Sequence, residues 1–422
     1  MTPFPSEMAA TGGWRVLVVD DSIAVRSAIR AMLSGLPQVA QVETARSAGS
    51  ALAILQAKAR TAPWDVVVLD VEMPAMSGIE ALPHLLQASP TSRVVMASSL
   101  TRRGAAATMA ALAAGASDYL CKPCASAGWE PSAFATELVT KIGVWGADAR
   151  RQRMLAAGRS AGPSWPPAGA PLATTSDRPK VHLSRPPCRS LSTAGRSVAG
   201  IERPAERPAE EQPVDGVALR NGSLRPFRAL AIGSSTGGPQ ALMQLFGGLA
   251  APLCVPVFVT QHMPPAFTAI LAQQIGRLTG GGCIEAADGE IVAAGRVYVA
   301  PGDHHLLVER ADGERPTLRL SRAAPENFCR PAVDPMLCSL ARVYRDELCV
   351  VILTGMGQDG LRGCRVVREA GGQVIVQDEA TSVVWGMPGA VARGGLADLI
   401  LPLPEIARRL RRPLCRPAVA GS

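Results

Sequence analysis

Short apolar runs that end on a polar residue, each followed by helically spaced apolar positions, recur over residues 14–145 and again after residue 226. In the first block the runs are Trp14–Val19, a weaker Val39–Thr44, Asp65–Leu69, Arg93–Ala97 and Ser117–Leu120. Helical spacing follows Asp21 and stops near Gly35, and it resumes over Ser50–Ala59. Strand and helix alternate five times, which predicts a doubly wound parallel sheet. The second block repeats the pattern, with strands predicted at Ala229–Ile232, Val255–Val259, Arg296–Val299, Leu348–Leu353, Gln373–Val376 and Asp398–Leu401. Helices are expected after Gly238, after Ala266, from Asp334, after Gly360 and from Pro404. Between the blocks the periodicity disappears. Pro, Arg, Ser, Ala and Gly dominate there, with a tandem Glu202-Arg203-Pro204-Ala205-Glu206-Arg207-Pro208-Ala209-Glu210. Such a stretch buries too little apolar area to order itself. The expected plan is therefore two α/β parallel-sheet domains, 14–145 and 227–412, joined by a long disordered linker, 146–226.

Composition adds little until the charge is located. The 422 residues are 47% apolar, enough for sizeable cores, and the formal net charge is +8. Residues 146–226 carry thirteen Lys/Arg against seven Asp/Glu, most of that excess, without an aromatic platform or a helix-turn-helix pattern. A solvated basic linker is the expectation, not a nucleic-acid surface. The longest nearly apolar stretch, Phe246–Val259, is short and holds Pro252 and Pro256, so no direct membrane insertion is expected. The N-terminus lacks the basic region of a secretory signal, and the ten cysteines lie scattered as reduced thiols do. A cytoplasmic protein is expected. Cys121-Lys122-Pro123-Cys124 has a redox or zinc spacing, but no second such pair completes a zinc site, and chance adjacency is the expectation.

The strand ends of the first block carry its chemistry. Asp20 and Asp21 close the first strand, Asp70 the third, Ser98 the fourth and Lys122 the fifth. In a parallel sheet those ends share one edge, so the carboxylates need a cation, and oxygen ligands suit Mg²⁺. A metal beside an exposed carboxylate and a lysine is an arrangement for phosphoryl transfer to an aspartate. Each Asp alone could be a turn residue; the set at four strand ends is harder to explain that way. Over about Trp14–Ile142 the chain resembles the response-regulator receiver family. That resemblance implies Asp70 as the phosphorylated residue, with Asp20, Asp21, Asp70 and the Glu72 carbonyl around Mg²⁺. It also implies Ser98 as switch hydroxyl, Tyr119 as switch aromatic and Lys122 as the contact to the phosphoryl group.

In the second block, Gly233-Ser234-Ser235-Thr236-Gly237-Gly238 follows a strand and opens a helix, a G-x-S-x-G match in the context that exposes a serine hydroxyl. The stretch could instead cradle a phosphate, although it lacks the lysine of a Walker loop and the G-x-G-x-x-G spacing. A serine nucleophile needs a base. Of five histidines, His84 and His182 lie outside this block; His262 follows a strand end in Gln261-His262-Met263-Pro264, while His304-His305 opens a strand after Pro301-Gly302-Asp303. His262 is favoured. Asp359, in Thr354-Gly355-Met356-Gly357-Gln358-Asp359-Gly360, is placed to orient it, or else to cap a helix. The order Ser235, His262, Asp359 differs from ordinary α/β-hydrolases, so a distinct serine-hydrolase lineage is expected.

Those stretches, with Val297-Tyr298-Val299-Ala300-Pro301-Gly302-Asp303-His304, Arg330-Pro331-Ala332-Val333-Asp334-Pro335 and Trp385-Gly386-Met387-Pro388-Gly389, resemble the chemotaxis protein-glutamate methylesterases over Phe227 to about Leu410. The resemblance implies a phosphorylation-regulated carboxylic ester hydrolase. It would demethylate glutamates on the cytoplasmic helices of methyl-accepting chemoreceptors and deamidate receptor glutamines. It implies a chemotaxis-type histidine kinase as phosphodonor, no cofactor for the esterase reaction, and Met356 as an oxyanion donor; Thr236 is a second candidate. Two other classes are weighed against it. A phospho-switched binding module would not need an intact Ser-His-Asp set, and a transcription factor would need a basic reading helix.

Overall fold

The computed structural model describes residues 13–58, 61–99, 101–122, 131–160, 224–249, 253–311 and 313–414. The first block forms β1 (Trp14–Val19), α1 (Ile23–Ser34), β2 (Val39–Ala45), α2 (Ala48–Lys58), β3 (Val66–Asp70), α3 (Gly78–Ala88), β4 (Arg93–Ser98), α4 (Arg102–Ala113), β5 (Asp118–Cys121) and α5 (Pro131–Ser160). The strands pair in parallel in the order β2-β1-β3-β4-β5. Burial of both faces explains why β3 is an unbroken Val66-Val67-Val68-Leu69 run. Ser22 caps α1, and Ser77 with Glu80 forms a capping box on α3.

The second block forms β6 (Ala229–Ser234), α6 (Gly238–Gly248), β7 (Val257–Gln261), α7 (Pro265–Leu278), β8 (Cys283–Glu285), β9 (Val297–Val299), β10 (His305–Glu309), β11 (Thr317–Ser321), α8 (Val333–Tyr344), β12 (Leu348–Ile352), α9 (Leu361–Glu369), β13 (Gln373–Gln377), α10 (Met387–Arg393), β14 (Leu399–Leu401) and α11 (Leu403–Leu414). Seven parallel strands order as β14-β13-β12-β6-β7-β9-β8, and β10 and β11 form a separate antiparallel pair. From β6 the chain winds first toward β7 and later returns to β12 on the other side. The carboxyl ends of β12, β6 and β7 thus flank a topological switch point, where open α/β sheets hold their sites. Both domains are the expected parallel-sheet α/β type.

One expectation needs correcting. Residues 146–160, assigned from the sequence to the linker, continue α5. The helix persists because Trp145, Asp148 and Ala149 are buried. Trp145 Nε1 donates to Asp118 Oδ2 at 3.0 Å, Asp148 pairs with Arg93 at 2.6 Å, and the Arg150 guanidinium lies 4.2 Å from the Trp14 ring centre. The rest of the expected linker, residues 161–223, lies outside the described residues. Among the described residues, no helix is long and apolar enough to cross a membrane.

Candidate functional site

Ser235 is the first residue after β6, His262 the first after β7, and Asp359 lies in the turn between β12 and α9. Three neighbouring strands therefore deliver the three side chains to one edge. Gly237 holds φ +75° in the β6–α6 turn, and a Cβ on Gly238 would fall 2.0 Å from Gln261 Oε1, so this turn requires glycine at both positions. Ser234 is fully buried and donates to Gln261 Oε1 at 2.7 Å, while Ser235 is only half-buried. That separates the two serines: Ser234 is structural and Ser235 is the accessible hydroxyl. Gln261 Nε2 donates to the carbonyls of Ser235 (2.9 Å) and His262 (3.2 Å), tying the two turns together.

His262 Nε2 lies 2.7 Å from Asp359 Oδ2. Asp359 is buried and accepts four further hydrogen bonds: from Val333 N–H (2.6 Å), Asp334 N–H (3.1 Å), Gly360 N–H (2.9 Å) and Asn327 Nδ2 (3.1 Å). Burial works against its charge, but His262 and these donors outweigh it and hold the carboxyl below its ordinary range. Burial likewise opposes a charged His262, yet the bonds to Asp359 and Cys329 win and push the imidazole up to about 10. Neighbouring Asp334 moves the other way, raised mainly by burial. Among the described residues, the N–H groups of Thr236 and Met356 donate no hydrogen bond, and Gly355, which precedes Met356, packs on Ser235. Both candidate oxyanion donors are thus unspent. The other two histidines of this domain are occupied elsewhere: buried His305 accepts from Ala332 N–H and contacts the Ala324 carbonyl, and His304 bonds Arg322 and Gly302.

The sequence alone does not single out Asn327 or Cys329. Asn327 holds φ +51° and bridges Asp359 and Asp334, and Cys329 Sγ lies 3.3 Å from His262 Nδ1. The one sequence signal is that Asn tolerates left-handed backbone better than other side chains.

At the edge of the first sheet, carboxylate oxygens of Asp20, Asp21 and Asp70 lie within 4.8 Å of one another. Lys122 Nζ stands 2.7 Å from both Asp20 and Asp70. Burial raises Asp70 against the pull of Lys122. Asp20 and Asp70 are buried, whereas Asp21 and Glu72 are exposed, and Asp70 Oδ1 accepts from Glu72 N–H at 3.2 Å. An all-oxygen set of three clustered acids fits a hard divalent cation. Ser98 is buried, with its hydroxyl donating to the Ser99 carbonyl. Cys121 is buried and its thiol pushed up to about 12 by that burial, a packing cysteine; Cys124 lies outside the described residues.

The two domains touch. Tyr119 stacks on Phe267 of α7, ring centres 4.6 Å apart and planes 18° apart. Gln240 of α6 donates to the carbonyls of Ala116 (2.6 Å) and Ser117 (2.9 Å). Arg151 of α5 reaches the Ser382 carbonyl at 3.3 Å, and Val383 packs between the core of the first domain and Gly237. The contacts thus fall on the helices that follow Ser235 and His262 and on the segment beside the Ser235 turn.

Residues 230–410 match the CheB methylesterase family model, and residues 16–128 match the response regulator receiver domain. A Rhodospirillum centenum protein named protein-glutamate methylesterase/protein-glutamine glutaminase of group 2 operon is 45% identical, over 96% of this chain and 95% of its own. The chain belongs to the protein-glutamate methylesterase family. A Paramagnetospirillum magneticum protein-glutamate methylesterase/protein-glutamine glutaminase is 44% identical over 95% of this chain and 96% of its own. Among solved structures, the Thermotoga maritima CheB methylesterase catalytic domain is 41% identical, with 44% of this chain and 98% of that one covered and a TM-score of 0.43. In this methylesterase, then, the receiver precedes the catalytic domain, and the candidate triad lies wholly within the segment matched by the methylesterase model.

Proposed function

We propose that the chain hydrolyses methyl esters of receptor glutamates, and deamidates receptor glutamines, under control of phosphorylation at Asp70. The observation that carries the reading is the delivery of Ser235, His262 and a fully hydrogen-bonded Asp359 to one edge by three adjacent strands. Ser235 Oγ attacks the γ-carbonyl, and its proton passes to His262 Nδ1 while Asp359 holds Nε2 and steadies the imidazolium. The N–H groups of Met356 and Thr236 receive the oxyanion. Methanol or ammonia leaves with the proton from His262. A water molecule, deprotonated by the same nitrogen, then opens the acyl-enzyme and restores the carboxylate and Ser235. This reaction draws on the protein's own side chains and backbone N–H groups, and on water.

Asp70 is the phosphorylated carboxylate, with Ser98, Tyr119 and Lys122 around the phosphoryl group. Asp20, Asp21, Asp70 and the Glu72 carbonyl would hold Mg²⁺, which supplies charge neutralisation when bound. Lys122 balances the carboxylates and then contacts the phosphoryl oxygens. Movement of Tyr119 would undo its stack on Phe267 and loosen the receiver from α6 and α7. The substrates are cytoplasmic chemoreceptor helices, the phosphodonor is a chemotaxis-type histidine kinase, and the protein works in the cytoplasm. Residues 14–160, with the whole of α5, and 227–412 act as the receiver and catalytic domains.

The test is release of labelled methanol from methylated receptor membranes by wild type and Ser235→Ala, with and without a small-molecule phosphodonor. Release that needs Ser235 and rises with phosphodonor supports both halves. Release indifferent to phosphodonor removes the switch, and release by Ser235→Ala removes the triad.

A further inference from the structure

The base that Ser235 needs is already engaged. His262 Nε2 is held by Asp359, and Nδ1, the nitrogen left to accept the serine proton, faces Cys329 Sγ at 3.3 Å. Among the described residues Ser235 Oγ makes no hydrogen bond. Cys329 is held in that position from both sides: Asn327, two residues before it, is anchored on Asp359 and Asp334, and Arg330, the next residue, binds Asp303 at 3.0 Å. Glu326 and Cys329 also pair through their backbones. The loop is braced to keep a sulfur on the imidazole, while Phe328 between these anchors stands fully in solvent.

Resting on the triad reading above, we infer that Cys329 is a positioning residue: its sulfur accepts the Nδ1 hydrogen of protonated His262 in the resting enzyme, withholding the base from Ser235 until the contact opens. For Ser235 to be activated, Nδ1 must give up that hydrogen to water and swing its lone pair toward Oγ. The push of His262 to about 10, in which Cys329 shares after Asp359, agrees with a resting imidazolium donating from both nitrogens. Among the described residues, Asp359 and Cys329 are the titratable groups that hydrogen-bond the ring. Asp334 is joined to Asp359 through Asn327, and Arg362 of α9 stands 3.9 Å from Asp334.

The experiment measures the rate at which a fluorophosphonate reacts with the full-length protein as a function of pH, alongside kcat and KM for methanol release. In the probe reaction Oγ bonds to phosphorus, fluoride leaves and the serine proton goes to His262. It therefore reports the base without requiring a receptor. Cys329→Ala and Cys329→Val remove the acceptor, one leaving space and the other filling it. Both should move the acid limb of the profile down by roughly half a pH unit or more, raising kcat at pH 7 several-fold with KM unchanged. Cys329→Ser, which restores an acceptor, should return the limb toward wild type. Acid limbs of Ala and Val that coincide with wild type overturn the inference while leaving the triad standing. A Ser235→Ala protein that still reacts and still releases methanol overturns the triad itself, and the inference with it.

Discussion

At the edge of the receiver sheet, three carboxylates cluster and two of them, Asp20 and Asp70, hold Lys122; at the edge of the catalytic sheet, Asp359 is surrounded by five donors. The same fold layout thus yields two electrostatic designs. Asp20, Asp21 and Asp70 repel one another and are only partly offset by the Lys122 ammonium, so the edge gains from an added cation. Asp359 is neutralised by backbone N–H groups and an imidazole, so its charge is fixed before substrate arrives. A switch needs an edge that incoming charge can reorganise, and a hydrolase needs a carboxylate whose charge is set in advance.

The comparison breaks most visibly at its rigid end. Asp359→Asn should lower kcat for methanol release by about 10⁴, because the amide favours the wrong imidazole tautomer. A loss under tenfold, with circular dichroism showing a folded protein, would mean that the prearranged carboxylate is not what drives the base. Asn327→Ala removes one charged hydrogen bond from Asp359 and should cost roughly 10- to 100-fold in kcat; a change in KM alone would assign Asn327 to substrate binding instead. At the reorganisable end, Asp70→Asn or chelation of divalent cations should remove the stimulation by phosphodonor, read as the ratio of methanol release with and without it. The mildest test is at the contact between the domains. Gln240→Ala deletes two hydrogen bonds to the receiver, and unphosphorylated activity should rise about fivefold, the equivalent of about 1 kcal/mol.

What the sequence discloses follows from how locally each feature is specified. Apolar runs locate the two parallel sheets, and Ser235, His262 and Asp359 each lie within a few residues of such a run, so adjacency to a strand end is enough to nominate them. Asn327 and Cys329 sit in an aperiodic loop, and only the tertiary path brings them to His262. The short strands β8 and β11 and the seven-residue α10, flanked by Gly386 and Gly394, escape a periodicity reading. The C-terminal half of α5 is misread for another reason. Its basic composition looks like solvated linker, but Asp148, Arg150 and Trp145 find partners on the sheet and on Trp14 that no local pattern announces.

The stack of Tyr119 on Phe267 has a thermodynamic corollary. If phosphorylation of Asp70 weakens that contact, any ligand that binds only after it separates must, by the same free energy, favour the phosphorylated receiver. A receptor helix seated at Ser235 is then an effector of Asp70 as much as Asp70 is an effector of Ser235. Substrate-rich membrane would shift the phosphotransfer equilibrium toward the modified protein and make signal and target reciprocal inputs to one equilibrium.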